Sequence, residues 1–293
     1  MRAFLGVPTT LPGLPTMLAE LPTPSCDRRR FLVACGALGT GLSAGPSSAD
    51  EPALRLAQAV HARPAGRDMT TLSRMELTEK GRAPRVRALV TYRLDRGNGE
   101  TANLMRFLEP EDIAGTGLLS AQKADGSSEQ WLFLPALDRV RRIGGDRKGG
   151  RFVGSDLYFE DVEERKPSLD RHRLLGRETV AGVPCEVLES VPLDATNSVY
   201  RKRLVWVDAK ESLAMRVDFF ERDDSNPAKR WTLEQRRRVQ NFWTATESRM
   251  VDLGSGHETV MRVSRALYDR KLPERLFSSR SLADEQLEEE FRP

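Results

Sequence analysis

The sequence predicts a mainly β fold, a single antiparallel meander. Apolar and polar residues alternate with period two over many short stretches. Clusters of Gly, Asn, Asp and Pro separate those stretches at short intervals, and nothing alternates strand–helix–strand as a parallel sheet would.

A short helix comes first beyond residue 50. Leu54, Leu56, Ala57 and Val60 form its apolar stripe, and Pro64-Ala65-Gly66 ends it. Residues 85–94 alternate as a half-buried strand, and Gly97-Asn98-Gly99 turns them into 101–108, a β-hairpin. Strands are expected at 117–122 and 129–134, separated by a turn at Asp125-Gly126. Residues 139–143 run into a Gly-rich, basic loop at 144–150 that lacks the Gly-Lys-Ser/Thr ending of a phosphate loop. A helical turn is expected at 156–163. Strands resume at 171–180, 185–192, 201–207, 215–221, 228–241, 243–252 and 258–268, with turns at Gly182, 208–211, 223–227 and 254–256. The tail, 272–277 and then 281–291, is expected to be an exposed helical or frayed end.

Hydrophobic residues make up 39% of the 293 positions and charged residues 30%, which allows a packed core beneath a heavily charged surface. No apolar run approaches the ~20 residues that a membrane-spanning helix needs. The 46 basic and 43 acidic residues are interspersed. With no clustered basic face and no aromatic RNA-binding motif, nucleic acid is excluded as a partner. Of Cys26, Cys35 and Cys185, only Cys185 lies beyond the leader described next. A lone thiol closes no internal disulfide, no zinc-ligand spacing is present, and no cofactor is called for, so Cys185 reads as a small buried hydrophobe on a strand.

Residues 1–49 read as a leader. Arg28-Arg29-Arg30-Phe31-Leu32 resembles a twin-arginine export signal, with Arg28, Arg29, Phe31 and Leu32 as its key positions. The mildly apolar, Gly- and Ala-rich stretch at 33–44 follows, and Ser47-Ser48-Ala49 offers the small residues a signal peptidase requires, which places cleavage after Ala49. Met17 is a second candidate start. Leu32-Val33-Ala34-Cys35 matches a lipoprotein box by accident, because four residues between Arg30 and Cys35 leave no room for an apolar region. Arg2 and Arg28 to Arg30 against Glu20 and Asp27 make the leader slightly basic and leave the mature chain almost neutral. The expectation is a periplasmic protein exported by the twin-arginine pathway, with 50–293 as one domain.

Three segments carry a further pattern: Phe107-Leu108-Glu109-Pro110-Glu111-Asp112-Ile113-Ala114-Gly115-Thr116-Gly117-Leu118-Leu119, Trp131-Leu132-Phe133-Leu134-Pro135-Ala136-Leu137-Asp138-Arg139-Val140-Arg141-Arg142-Ile143, and Gly154-Ser155-Asp156-Leu157-Tyr158-Phe159-Glu160-Asp161-Val162. In this order they resemble the outer-membrane lipoprotein-sorting family related to LolA and LolB, in its larger branch associated with export pumps. The series from Val205-Trp206-Val207-Asp208 to Phe219 and the closing Leu276-Phe277-Ser278 fit the same pattern, so the resemblance spans roughly residues 52–285. It implies a strongly curved antiparallel sheet, an incomplete barrel, with covering helices and an apolar cavity that holds acyl chains. It also implies lipid or lipoprotein acyl chains as ligand and, as partner, a resistance–nodulation–division (RND) or MMPL-type exporter or an outer-membrane acceptor. The chain departs from a simple LolA-type carrier in its length and in the basic run Arg139-Val140-Arg141-Arg142. The cargo is left open among lipoprotein, phospholipid and another envelope lipid.

Alternation nominates the cavity lining: Met105, Phe107, Leu118, Trp131, Phe133, Val205, Val207, Met215, Val217 and Phe219. Met105 and Phe107 share one face of their strand, and Trp131 and Phe133 share one face of theirs. Arg139, Arg141 and Arg142 are candidates for a headgroup site at the rim; a solvated edge strand that resists aggregation is the competing reading. The triplet Arg236-Arg237-Arg238 reads as a solvated face.

Nothing points to catalysis. His61, His172 and His257 are isolated in sequence, no Gly-x-Ser-x-Gly elbow is present, and the Ser120/Lys123 pair falls within an expected strand instead of at a helix start. The function expected is a non-enzymatic carrier of acyl chains toward the outer membrane or an export pump. The alternative is an accessory or sensing module that binds a lipidated partner without transfer.

Overall fold

The computed structural model describes residues 50–293, so the twin-arginine motif and the cleavage position lie outside the described residues. Helix α1 (Asp50–His61) comes first. Thirteen strands follow: β1 (Asp68–Thr78), β2 (Arg85–Gly97), β3 (Glu100–Glu109), β4 (Gly117–Gln122), β5 (Ser128–Leu134), β6 (Arg139–Ile143), β7 (Asp170–Val180), β8 (Val183–Pro192), β9 (Lys202–Asp208), β10 (Leu213–Phe220), β11 (Lys229–Val239), β12 (Phe242–Asp252) and β13 (Glu258–Tyr268). A short helix α2 (Ser279–Ala283) lies in the tail. No helix among the described residues is long and apolar enough to cross a membrane.

All thirteen strands form one antiparallel sheet in the order β6-β5-β4-β3-β2-β1-β13-β12-β11-β10-β9-β8-β7. Each half of the chain is a meander of sequential hairpins, and the first and last strands join the halves at the centre. The β2–β3 turn is the one the sequence announces. Gly97, Asn98 and Gly99 all take positive φ, and Asp95 accepts from the Gly97 N–H at 2.8 Å. The sheet is not closed, because β6 and β7 are its two edges.

Strand β1 is missing from the expectation drawn from the sequence, although it sits at the centre between β2 and β13. Its alternate positions Met69, Thr71, Ser73, Met75 and Leu77 share one face, but two of the five are hydroxyl residues. Thr71 and Ser73 are nearly inaccessible all the same. Small hydroxyl side chains inside a sheet erase the apolar alternation on which a strand is recognised.

The face bearing Met75, Leu77, Leu89, Phe107 and Leu118 is called inner here; it packs against Phe152 and Phe159. Those two aromatics belong to residues 144–169, which connect β6 to β7. Since these strands are opposite edges of the sheet, the connection crosses its whole width as a strap. The expected helical turn at 156–163 is reduced to a 3₁₀ turn at Glu160–Val162. The Gly-rich loop is anchored: Lys148 Nζ donates to Ser128 Oγ and to Glu163 Oε2, both at 2.9 Å.

The outer face carries Val90, Tyr92, Leu104, Leu119 and Phe133, packed against Leu272, Leu276, Phe277 and Leu282 of the tail. The expectation of an exposed or frayed end is therefore corrected. Asp68 turns the chain back after β13: its carboxylate, 1% exposed, accepts from the backbone N–H groups of Arg270, Lys271 and Leu272 at 2.8, 2.8 and 3.1 Å. Cys185 is buried and free, packed with Val187, Trp206 and Met215.

Candidate functional site: a cleft beneath the first helix

Ala53 and Ala57 seat α1 against Leu188 and Val205 on the inner face. Small residues at the contact bring the helix axis close to the sheet. Beyond its C-terminus, the Arg63–Gly66 segment carries the chain back to β1, and the space between them is a cleft of about 480 Å³. Its apolar wall is Val60, Met69, Met261 and Val263; Thr71, Ser73 and Thr91 floor it with hydroxyl and methyl groups. This size falls within the usual range for small-molecule sites, roughly 300–1,000 Å³. A second, smaller hollow of about 210 Å³ lies under the same end of α1, against Leu188, Val205 and Val207.

One end of the cleft is charged. Arg93 forks onto Glu164 through Nε–Oε1 at 2.6 Å and Nη2–Oε2 at 3.4 Å. Arg63 donates from Nη1 to the Trp243 carbonyl at 2.9 Å and makes no ion pair with a described carboxylate. Burial pushes its guanidinium below the usual arginine range, and the nearby Arg93 charge acts in the same direction. Burial likewise lowers the pKa of His61, on the helix end beside it.

The register decides which predicted lining residues come together. Met105 pairs with Leu118, Leu89 pairs with both Phe107 and Ser73, and Met75 pairs with Met261. Thr259 pairs with Met250, then Met250 with Trp231, Trp231 with Val217, and Val217 with Val205. Directly paired residues share a face. Met105, Phe107, Leu118, Val205, Val207, Val217 and Phe219 are therefore all on the inner face. Trp131 pairs with Leu119, and Phe133 with Gly117, on the outer face beneath the tail. Met215 packs with Trp206, whose side chain alternates with those of Val205 and Val207. These three cannot share a cavity with the other seven.

Inner-face position does not by itself expose a residue to a ligand. Phe107 is 1% exposed, with the Phe152 ring 5.6 Å from its own and Phe152 meeting Phe159 edge-on at 5.8 Å. The strap fills the space over Met105, Phe107 and Leu118. Phe219 is covered by Tyr200, ring centroids 4.7 Å apart. None of the ten lines the cleft; Val205 and Val207 line the smaller hollow under α1, and Trp131 lines a separate hollow of about 440 Å³ on the outer face, between Leu119 and Phe277 of the tail.

Arg139, Arg141 and Arg142 lie on β6, an edge of the sheet, and none lines either hollow. Arg142 pairs with Glu129 at 2.7 Å. The sequence reading missed Met69, Thr71 and Ser73 because it missed β1, and Arg63 because it follows the helix as an ordinary breaker segment. The alternation of Met69, Met75 and Leu77 was the signal available.

Two histidines that look isolated in sequence have partners. His257 Nδ1 lies 2.5 Å from Asp156 Oδ2, which also accepts from Thr259 Oγ1 at 2.7 Å. His172 donates from Nε2 to the Pro167 carbonyl at 2.8 Å, leaving Nδ1 to accept from Ser190 Oγ at 2.9 Å. The first group ties the strap to β13, and the second ties β7 and β8 to the segment before β7. Ser120 Oγ lies within β4 and accepts from Gln130 Nε2 at 3.2 Å. No group of acidic, His or Cys residues suited to a metal occurs among the described residues.

Residues 99–284 match a family model described as an uncharacterized protein. No curated protein matches the chain. Among solved structures, a domain assigned to outer membrane lipoprotein sorting from Vibrio parahaemolyticus is 29% identical, with a TM-score of 0.75, over 80% of this chain and 99% of that one. A DUF1329 family protein from Desulfovibrio piger is 25% identical, with a TM-score of 0.76, over 80% and 100%. A LolA superfamily protein from Nitrosomonas europaea shares the fold at 19% identity and a TM-score of 0.60, over 80% and 100%.

Proposed function

The chain belongs to the family whose model spans residues 99–284 and has the fold of LolA-like lipoprotein-sorting proteins, and on that premise we propose that it is a periplasmic carrier of lipid or lipoprotein acyl chains. The observation that carries the proposal is the cleft between α1 and the inner face, open at its walls of Val60, Met69, Met261 and Val263, while the strap covers Leu77, Leu89, Phe107 and Leu118 of the same face. An acyl chain laid against that wall leaves water with a gain of about 0.8 kcal/mol per buried CH₂, which a carrier must nearly match to the membrane it serves. No proton transfer or bond cleavage is needed for that role. In this reading the leader directs the protein through the twin-arginine pathway, residues 50–293 act as one carrier domain, and the cargo passes to an outer-membrane acceptor or an export pump. The test is mass spectrometry of lipid bound to protein purified natively from the periplasm, followed by transfer from donor to acceptor vesicles. Bound acyl lipid that moves to the acceptor supports the carrier; protein free of lipid and inert in transfer refutes it.

A further inference from the structure

The cleft has a second compartment. A hollow of about 550 Å³ adjoins it, lined in part by Arg67, Asp95 and Arg96, and the two share His61, Arg63, Ala65 and Arg93 as a common wall. Across both, four arginines face two carboxylates, Asp95 and Glu164. The excess is not spread evenly. Arg93 is engaged by Glu164, and Arg96 pairs with Glu274 outside the hollow. Arg63 and Arg67 make no ion pair with a described carboxylate. Arg63 is held at the junction by the Trp243 carbonyl, with the apolar wall on one side of it and the basic hollow on the other. Arg93 Nη1 and Arg96 Nε are buried donors with no partner among the described residues. A buried guanidinium with unmatched donors costs free energy unless an acceptor arrives. With four arginines against two carboxylates, an anionic acceptor suits these donors best, and an apolar chain attached to it can continue along the shared wall toward Met69 and Met261.

We infer that the cleft selects amphiphiles with an anionic head, a carboxylate or a phosphate, bound by the Arg63 and Arg67 guanidiniums with the chain on the Met69–Met261 wall. This rests on the carrier reading and specifies its cargo. It also moves headgroup recognition from the edge strand β6 to the mouth beneath α1. Planar guanidinium groups suit both anions, because each presents two oxygens to a two-pronged donor.

The experiment measures equilibrium binding of three probes of equal chain length to the purified mature chain: a fatty acid, a lysophosphatidylglycerol and an uncharged monoacylglycerol. The two anionic probes should bind at least about tenfold more tightly than the neutral one, the range of a charge-assisted hydrogen bond. Arg63→Gln should erase that preference, so that the three probes bind with affinities within about twofold of one another. Arg67→Glu, an exposed position at which folding is not in question, should weaken anionic binding alone. The tighter of the two anionic probes identifies the head, carboxylate or phosphate. Equal affinity of wild type for all three probes would overturn the head assignment and leave the carrier standing. A preference that survives both substitutions would overturn it as well. Failure to bind any of the three would remove the carrier reading along with it.

Discussion

Arg106 and Glu288 lie 182 residues apart in the chain and form an ion pair, Nε to Oε1 at 2.9 Å, in which both side chains are almost inaccessible to water. Arg106 donates further to the carbonyls of Gly115 at 2.6 Å and Ser281 at 3.1 Å, so one guanidinium holds the β3–β4 connection and two turns of the tail. The Tyr92 hydroxyl donates to the Glu288 carbonyl at 3.3 Å. Gly117 makes this approach feasible: a Cβ there would stand 2.7 Å from both Arg106 Nη1 and Leu282 Cδ1. Burial pushes the Glu288 carboxyl upward, and the Arg106 charge opposes the shift.

Breaking this pair should be costly. Glu288→Ala leaves a buried arginine without its carboxylate, and a loss of about 3–5 kcal/mol is expected in urea unfolding. Gly117→Ala should loosen the tail by a smaller amount, read as faster proteolysis after residue 270. A Glu288→Ala protein as stable as wild type would mean that the tail is not anchored in solution.

Lys229 should give stability an alkaline signature. Its ammonium donates to the Asp156 carbonyl at 2.8 Å, lies 3.6 Å from Asp161 Oδ2 and sits over the Tyr158 ring; burial lowers its pKa to about 8. Burial likewise pushes the Asp161 carboxyl up. An unfolded lysine holds its proton to about pH 10.4. From pH 8 upward the unfolded chain therefore binds a proton that the folded chain has released, and stability rises with pH. Below pH 8 both states hold the proton and this contribution is flat. The window closes above about pH 9, where the raised pKa values of Cys185 and Tyr200 act in the opposite sense. Between pH 8 and 9, wild type should gain about 1 kcal/mol relative to Lys229→Met. Parallel pH profiles would show that the ammonium is not desolvated.

Filling the cleft should separate binding from folding. Val263→Trp places a large side chain in the hollow and is expected to remove co-purified lipid with little change in melting temperature. Phe133→Ala should do the reverse: it opens a void between sheet and tail, costs about 3–5 kcal/mol and leaves lipid content intact. Lipid lost from Phe133→Ala but kept in Val263→Trp would place the cargo under the tail.

Replacing both Arg28 and Arg29 by Lys should stop export and leave precursor in the cytoplasm, judged by cell fractionation. Mature protein accumulating normally in the periplasm would contradict the twin-arginine reading of the leader.

Much of the fold could be read from the chain before any coordinates. Strands β4, β6 and β13 follow the expected ranges, because turn residues bound them: Gly115 before β4, Asp125-Gly126 after it, Gly144-Gly145 after β6 and Gly254 to Gly256 before β13. Strand β1 escaped since Thr71 and Ser73 occupy inward positions where the alternation rule looks for apolar side chains. The tail was misread because Leu276, Phe277 and Leu282 are sparse among charged residues, and the partner that buries them, the outer face of β2–β5, lies more than 140 residues away.

By itself, the sequence determined an antiparallel sheet of sequential hairpins and a likeness to lipoprotein-sorting proteins. Both are written locally, in period-two alternation, turn residues and contiguous motifs. Tertiary structure alone decided which face each strand turns inward, since a side chain's face depends on register summed across thirteen strands. It also decided where space remains. Residues 144–169 had to cross from one edge of the sheet to the other, and in doing so they set Phe152 and Phe159 over Met75, Leu77, Leu89, Phe107 and Leu118 of the inner face. The cleft remains beyond the C-terminal end of α1, between the Arg63–Gly66 segment and strands β1 and β13.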